Sequence, residues 1–248
     1  ILSWKTDLPG TSDDQSITIP IDPNRAYQYD VDWNDDGIFD ELGITDSVHH
    51  NFGTPGTYTI RIRGNFPRIL FRDAGDREKL IDVAQWGTQQ WSTMANAFRG
   101  CSHLNFSATD APDLSQVRNL ESMLFACTAF NSPIGHWEVS QVESLYFTFG
   151  NCVHFNQALN DWDVSSVTNL QRTFIGCTVF NQALDRWEVG QVRSFSAMFI
   201  YCKAFFQDIC NWDVSSAILL SMMVAGASSF YQDIGAWQLD NVQRIHTM

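Results

Sequence analysis

The acidic segment 32–41 carries the side chains whose types and spacing come nearest to a known chemistry. Side-chain oxygens stand at its first, third and fifth places, a Gly holds the sixth, and an Asp holds the ninth. Oxygen ligands at this spacing, followed by a Gly for the sharp turn, open a calcium-binding loop. The spacing therefore points to calcium as a ligand. The candidate metal ligands are Asp32, Asn34, Asp36 and Asp40.

The same segment departs from a complete EF-hand loop. Its twelfth place is Gly43, where an EF-hand has a bidentate Glu, and Glu41 comes two residues too early. Two interpretations stay open. The segment is either a calcium site of another geometry or an acidic, solvated turn between two strands. No cofactor other than calcium is indicated.

The residues that most often perform catalysis do not form a recognisable set. His49 and His50 are neighbours, so on a strand they point to opposite faces, and the other four His residues are scattered along the chain. The sequence motifs of zinc proteases, serine hydrolases, P-loop proteins and dinucleotide-binding proteins are absent. We therefore expect that the protein is not an enzyme.

The overall charge excludes several classes of partner. The 248 residues include 28 Asp and Glu against 15 Lys and Arg, which gives a net charge of −13. Binding to a nucleic-acid backbone or to anionic lipid needs clustered cations, so neither partner is expected. No run of about 18 apolar residues occurs, and we expect no membrane insertion. Because the chain begins with Ile1 and ends within a repeat, we interpret it as a fragment.

Most of the chain follows a period of about 25 residues. Cys recurs at this interval, a Phe or Leu follows three residues later, and a Trp follows ten residues later in most repeats. So many in-phase matches indicate a repeat architecture, in which each unit buries its apolar face against its neighbours. The columns are Cys101, Cys127, Cys152, Cys177 and Cys202, then Leu104, Phe130, Phe155, Phe180, Phe205 and Phe230, and then Trp137, Trp162, Trp187, Trp212 and Trp237.

The pattern of apolar residues in each repeat predicts one short helix and one short strand. Residues 169–180 have apolar side chains at helical spacing, and residues 183–192 come near to the alternation of a strand. The predicted fold class is an α/β solenoid of the leucine-rich-repeat type with about six repeats, preceded by a small all-β sandwich. The Trp, Phe and Cys columns are expected to face inward.

The cysteines allow two interpretations. Cys packs as a small buried hydrophobe, and the next place in the column is Ala227, which favours packing. Disulfides between neighbouring coils are the alternative. Cys210 lies out of phase and is either another packed thiol or a partner for Cys202. The column lacks the C-x-x-C pairs of a zinc site, so zinc is not indicated.

The first part of the chain lacks the period and predicts strands instead. Alternating or β-branched segments are separated by Gly and Pro turn formers, which is typical of a small β-sandwich. We predict that residues 1–66 form this domain and that residues 67–248 form the solenoid, with 67–85 capping its first coil. The predicted strands cover 17–21, 27–33, 46–52 and 57–64.

Two repeat segments and one strand segment carry a family resemblance. The repeats are FNQALNDWDVSSVTNL (155–170) and FNQALDRWEVGQV (180–192), each preceded by F-x-x-C, and the strand segment is PGTYTIRIRG (55–64). The repeats resemble those of BspA-like leucine-rich-repeat bacterial surface proteins, and the strand segment is similar to part of a PKD-type domain. Phe206 and Tyr231 depart from the pattern, because they replace the Asn of F-N-Q.

The resemblance implies a bacterial cell-surface or secreted protein that binds an extracellular protein or glycan, as in adhesion. It transfers no catalytic residue, and it does not identify the binding residues. The alternative function is a structural spacer that displays other domains at the cell surface. A binding module is expected to expose aromatic or charged residues that break the repeat, whereas a spacer shows only regular polar columns.

Overall fold

The first part of the chain folds into short strands. The structure is a computed structural model that describes residues 1–246. The predicted end of the second domain, Met248, lies outside the described residues. All four strands predicted from the sequence are confirmed, with ends that differ by one or two residues. The strands are β1 (Leu2–Lys5), β2 (Ser16–Ile19), β3 (Gln28–Asp32), β4 (Glu41–Ile44), β5 (Val48–Asn51), β6 (Thr57–Asn65), β7 (Leu80–Val83) and β8 (Asn105–Phe106).

These strands form one large mixed sheet and one small sheet. The large sheet has the order β4-β3-β6-β1-β7-β8, and β2 pairs with β5 in the small sheet. All pairs are antiparallel except β7 with β8, which is parallel. Leu2 faces Ile60 on one side and Val83 on the other. Backbone pairing therefore continues from the strands of residues 1–66 into the segment that follows.

From the segment before β8 onward the chain winds into stacked coils, and Gln90 makes a parallel β-bridge to Asp113. From Asn119 on, one residue in each coil makes such a bridge to the residue one coil later, with a spacing of 25 residues. The coils therefore lie in register, and equivalent side chains form columns along the stack. The bridged residues are Asn119, Ser144, Asn169, Ser194, Leu219 and Arg244.

The predicted helix of each repeat is wrong. No helix forms anywhere in residues 1–246, so the chain is not an α/β solenoid of the leucine-rich-repeat type but a β-rich fold with mixed sheets. Within the same range, accordingly, no helix is present that could cross a membrane.

Backbone hydrogen bonding explains why the helix does not form. An α-helix needs each N–H to bond the carbonyl four residues back. In the coil that begins at Leu120, every second N–H as far as Ala126 instead donates to a carbonyl of the next coil at 2.8–3.1 Å. The N–H groups of Met123, Phe125 and Cys127 donate to the carbonyl three residues back, as in tight turns.

Left-handed residues keep these turns from becoming helical. Each coil places two residues at positive φ four positions apart, as in Arg172 at 59° and Gly176 at 75°. A left-handed residue cannot be part of a right-handed helix. The apolar side chains recur every three to four residues, which is why a helix was predicted. In the structure this spacing comes from a series of turns.

The inward direction of the three columns is confirmed. All five in-phase Cys residues are buried, and the buried rings of Phe155, Phe180 and Phe205 stack with 5.9–6.1 Å between centroids. Indole N–H groups of the Trp column donate to a carbonyl of the preceding coil, as from Trp187 to Leu159 at 2.8 Å. All six cysteines are free thiols, so packing is confirmed and Cys202 forms no disulfide with Cys210.

A buried polar network ties the first loop to the segment before β7. The ammonium group of Lys79, which is fully buried, donates to the carbonyls of Ser12, Asp13 and Ser16 at 2.6–3.0 Å. The carboxylate of Asp76 accepts the backbone N–H groups of Thr11, Ser12 and Thr18 at 2.7–2.8 Å. Every donor of the buried ammonium therefore has a partner, as a buried charge requires.

Candidate functional site

The acidic loop between β3 and β4 is organised around Asp32. This residue is fully buried, and its Oδ1 accepts the N–H groups of Asn34 and Asp36 at 3.2 and 3.3 Å. Its Oδ2 accepts the N–H of Gly37 at 2.8 Å. Asp35 and Gly37 both have positive φ, which turns the chain sharply. Backbone donors therefore already occupy both oxygens of the first predicted ligand.

The other three predicted ligands are also engaged within the loop. Asn34 donates its amide N–H to Asp36 Oδ2 at 3.2 Å, and Asp40 Oδ2 accepts the N–H of Trp33 at 2.9 Å. Across residues 1–246 no group of three or more His, Cys, Asp or Glu side chains stands where it could hold a metal ion. These contacts are those of an acidic turn, and nothing in them decides between that interpretation and a calcium site.

The two adjacent His residues of β5 serve separate contacts. The His49 ring lies 3.2 Å from the hydroxyl of Thr18, whereas the His50 ring stacks on Trp33 with 4.2 Å between centroids. Burial of the His50 ring lowers its pKa. Their positions agree with the expectation that neighbouring residues of a strand point apart.

A row of Asn side chains links the outer edges of successive coils. The Oδ1 atom of Asn131 accepts the backbone N–H of Asn156 at 2.9 Å and the side-chain amide of Gln157 at 3.1 Å. Asn156 accepts from Asn181 and Gln182 at the same distances. This is the structural role of the F-N-Q motif, and we call Asn131, Asn156 and Asn181 the Asn row.

The Asn row stops where the sequence departs from the motif. The next two places are Phe206 and Tyr231, which we call the aromatic pair, and their side chains are 53% and 86% exposed. Asn181 still accepts the Phe206 N–H at 3.1 Å, but Phe206 has no side-chain oxygen to offer to the next coil. Gln232 therefore donates to the backbone carbonyl of Phe206, at 2.7 Å.

A third aromatic residue, Tyr201, breaks the repeat in the coil that contains Phe206. Tyr201 is 61% exposed and has a φ of 59°, at a place that is Asn151, Gly176 and Gly226 in the neighbouring coils. A large side chain in this left-handed conformation costs about 1–2 kcal/mol. A Cβ atom on Gly226 would lie 2.6 Å from the Tyr201 ring, so that ring covers the next coil. The signal for all three residues was already in the sequence, as departures from the column.

A partly exposed thiol, Cys210, lies in the chain between the two residues of the aromatic pair. Cys210 donates its backbone N–H to Asp208 Oδ1 at 2.9 Å. A side-chain hydrogen bond with the Asp208 carboxylate raises the pKa of the Cys210 thiol. Burial raises the pKa of the five column thiols. Cys210 is therefore the thiol that a reagent in solution reaches first.

Comparison with known proteins gives a family but no function. The family model described as "Mycoplasma protein of unknown function, DUF285" matches residues 68–185 and again 144–248. The shared stretch, 144–185, reflects the repeat. No curated protein and no solved structure matches the chain. The description says nothing of BspA-like repeats or PKD-type domains, so both stay predictions. Because the matches cover more than half of its length, the chain belongs to the DUF285 family.

Proposed function

We propose that this DUF285 protein is a non-catalytic binding module that holds an extracellular protein or glycan on the aromatic pair. The observation that carries the proposal is the replacement of the Asn row by Phe206 and Tyr231. The replacement removes the hydrogen bonds that an Asn side chain accepts from the next coil, and it exposes two large rings to water. Because the change gives up a contact between coils and leaves both rings exposed, a ligand is the better explanation.

The neighbouring coils supply an internal control for this argument. They share backbone course, register and column positions with the coils of the aromatic pair, yet they keep Asn at the same place. Exposed aromatic residues are enriched in binding surfaces, because they bury much apolar area with few rotatable bonds. The patch breaks the repeat, which is the feature expected of a binding module rather than of a spacer.

The other parts of the proposed function rest on the resemblance to bacterial surface proteins. It supports a location at the cell surface or outside the cell and a role in adhesion. The repeat itself supports the absence of catalysis, because its polar features recur in coil after coil whereas an active site is normally singular. A spacer that displays other domains is the competing function, and the same experiment decides between them.

The test is an array of glycans and extracellular proteins probed with the soluble chain. We expect a bound ligand, and at least tenfold weaker binding after Phe206→Asn combined with Tyr231→Asn. The double variant restores the Asn row, so its melting temperature should be equal or higher. Ile38→Asn is the matched control, since it removes an equally exposed apolar side chain from the acidic loop. A chain that binds nothing supports the spacer, whereas a double variant that binds as before overturns the assignment of the binding site to the aromatic pair.

A further inference from the structure

A small apolar cavity lies where the first coil packs against the six-stranded sheet. Its volume is about 60 Å³, and it continues outward into a groove of about 560 Å³. The cavity is lined by aliphatic side chains of β1, β6 and β7 and by aromatic side chains of the coil. Those residues are Leu2, Ile62, Val83, Trp86, Trp91 and Phe98.

One wall of the cavity holds a buried donor that lacks a partner. Trp91 is 7% exposed, and its Nε1 makes no hydrogen bond to any residue that the structure describes. The indoles of the Trp column behave differently, since those of Trp162 and Trp212 each donate to a carbonyl at 3.0 Å. An unpaired buried N–H is unfavourable and calls for an explanation.

Two arginines stand in the groove outside the cavity. Arg61 Nε donates to Asp35 and Arg63 Nε donates to Asp30, both at 2.8 Å, and Arg63 also lies over the Phe39 ring at 3.7 Å. These contacts fix the planes of the two guanidinium groups. Their Nη atoms form no hydrogen bond within residues 1–246.

We propose that this groove binds the C-terminus of a peptide whose last residue is apolar. A cavity of 60 Å³ holds on the order of four to six water-sized groups, which suits the four carbons of a Leu side chain. The carboxylate of the same residue would lie against the free Nη atoms of Arg61 and Arg63. Planar guanidinium groups that are held in place favour two-point recognition of a carboxylate.

The surroundings of the groove agree with an anionic ligand. The chain carries a net charge of −13, yet no Asp or Glu is among the residues that line this groove, whose polar side chains are Arg61, Arg63, Asn65, Thr88, Gln85, Gln89 and Gln90. The carboxylates next to the groove are already engaged: Asp30 and Asp35 pair with the two arginines, and Asp110 accepts the backbone N–H groups of Trp86 and Gly87. The groove therefore offers donors where most of the surface offers acceptors.

The probe for this site is N-acetyl-Ala-Leu with a free carboxylate, compared with the same peptide as its C-terminal amide. Binding is followed by NMR through the indole N–H signals of Trp86 and Trp91. We expect saturable shifts of these signals with the acid and at least tenfold weaker binding of the amide. No shift at millimolar acid, or equal affinity of the two peptides, overturns the proposal.

Two variants assign the parts of the site. Arg61→Gln with Arg63→Gln should reduce the affinity for the acid to that for the amide, and Ile62→Trp should fill the cavity and abolish both. Arg118→Gln, on the stacked coils, is the control and should bind as the unaltered chain does. An arginine double variant that melts normally and binds with unchanged affinity overturns the proposal. Replacement of the aromatic pair leaves this site intact, so the two proposals fail independently.

Discussion

The sheet segment and the stacked coils are held together in opposite ways. In the coils one pattern recurs every 25 residues, with alternate N–H groups bonded to the next coil and an indole bonded to the preceding one. In the sheet segment a single network, built on Asp76 and Lys79, holds the loop before β2. Stability in the coils is therefore spread over many equivalent contacts, whereas in the sheet segment it depends on few.

Lys79→Met removes the buried ammonium group at the centre of that network. Three backbone carbonyls then lose their donor, and the buried Asp76 is left without the nearby positive charge. We expect the free energy of unfolding to fall by about 3–5 kcal/mol. Urea denaturation at neutral pH measures it. Lys5→Ala, at a half-buried lysine whose ammonium makes a surface ion pair with Asp7, is the control and should change stability by less than about 0.5 kcal/mol.

Trp187→Phe tests a recurring contact of the coils in the same way. The variant removes the indole N–H that donates to Leu159 at 2.8 Å and keeps an aromatic ring stacked on Trp212. The expected loss is about 2 kcal/mol in urea denaturation, because one buried carbonyl is left unpaired. If Trp187→Phe lowered the free energy of unfolding as much as Lys79→Met, the contrast between coils and sheet segment would be wrong, since the coils would also depend on single contacts.

Asn156→Ala and Phe206→Asn should change stability in opposite directions. The first removes the acceptor of two hydrogen bonds of the Asn row, and the second restores that acceptor one coil beyond Asn181. We expect a loss and a gain of about 1 kcal/mol each. Paired thermal melts measure the difference. If Phe206→Asn destabilised the chain, the ring would have a structural role and the proposed function would lose its main support.

Alkylation separates the one accessible thiol from the column. Iodoacetamide should modify Cys210 first and the five buried thiols only on unfolding, because burial excludes the reagent and raises their pKa. Asp208 raises the pKa of Cys210, so Asp208→Asn should increase the thiolate fraction and speed its alkylation severalfold at mildly alkaline pH. Above the raised pKa both proteins should react at the same rate. Mass spectrometry of timed samples reports both effects.

Calcium should have the smallest effect. Since the oxygens of Asp32 already accept three backbone N–H groups, the loop is held without an ion. We expect the same melting temperature with added calcium and with chelator. A rise with calcium that is lost in Asp36→Ala would restore the calcium interpretation, because an ion that binds only the folded state raises its stability.

The period of the sequence was enough to predict which side chains are buried. Cys, Phe and Trp recur in phase, and a residue that recurs in every coil must sit at the same depth in each, as Cys177 and Trp187 do. The strands were also predictable, because alternation in segments such as 57–64 follows directly from the pleat. Predicting the buried columns and the strands required only which side chains point inward and which point outward.

The helix failed because apolar spacing does not report backbone hydrogen bonding. A run of tight turns and a helix both bring every third or fourth side chain to one face, as with Leu170, Phe174 and Cys177. The signal that separates them was present in Gly176, Gly226 and Asn151, which hold a left-handed place in the repeat. The groove at Arg61 and Arg63 could not be predicted, since it forms between β6 and a coil distant in the sequence.

The bonding of each coil to the next has a mechanical consequence. The parallel bridges and the alternate N–H bonds all cross between neighbouring coils, so tension along the stack is carried by every coil boundary and is released when one of them breaks. Each coil that detaches releases 25 residues, or roughly 80–90 Å of extended chain. Stretched between two anchored ends, the stack would lengthen in steps of that size and absorb work at each one.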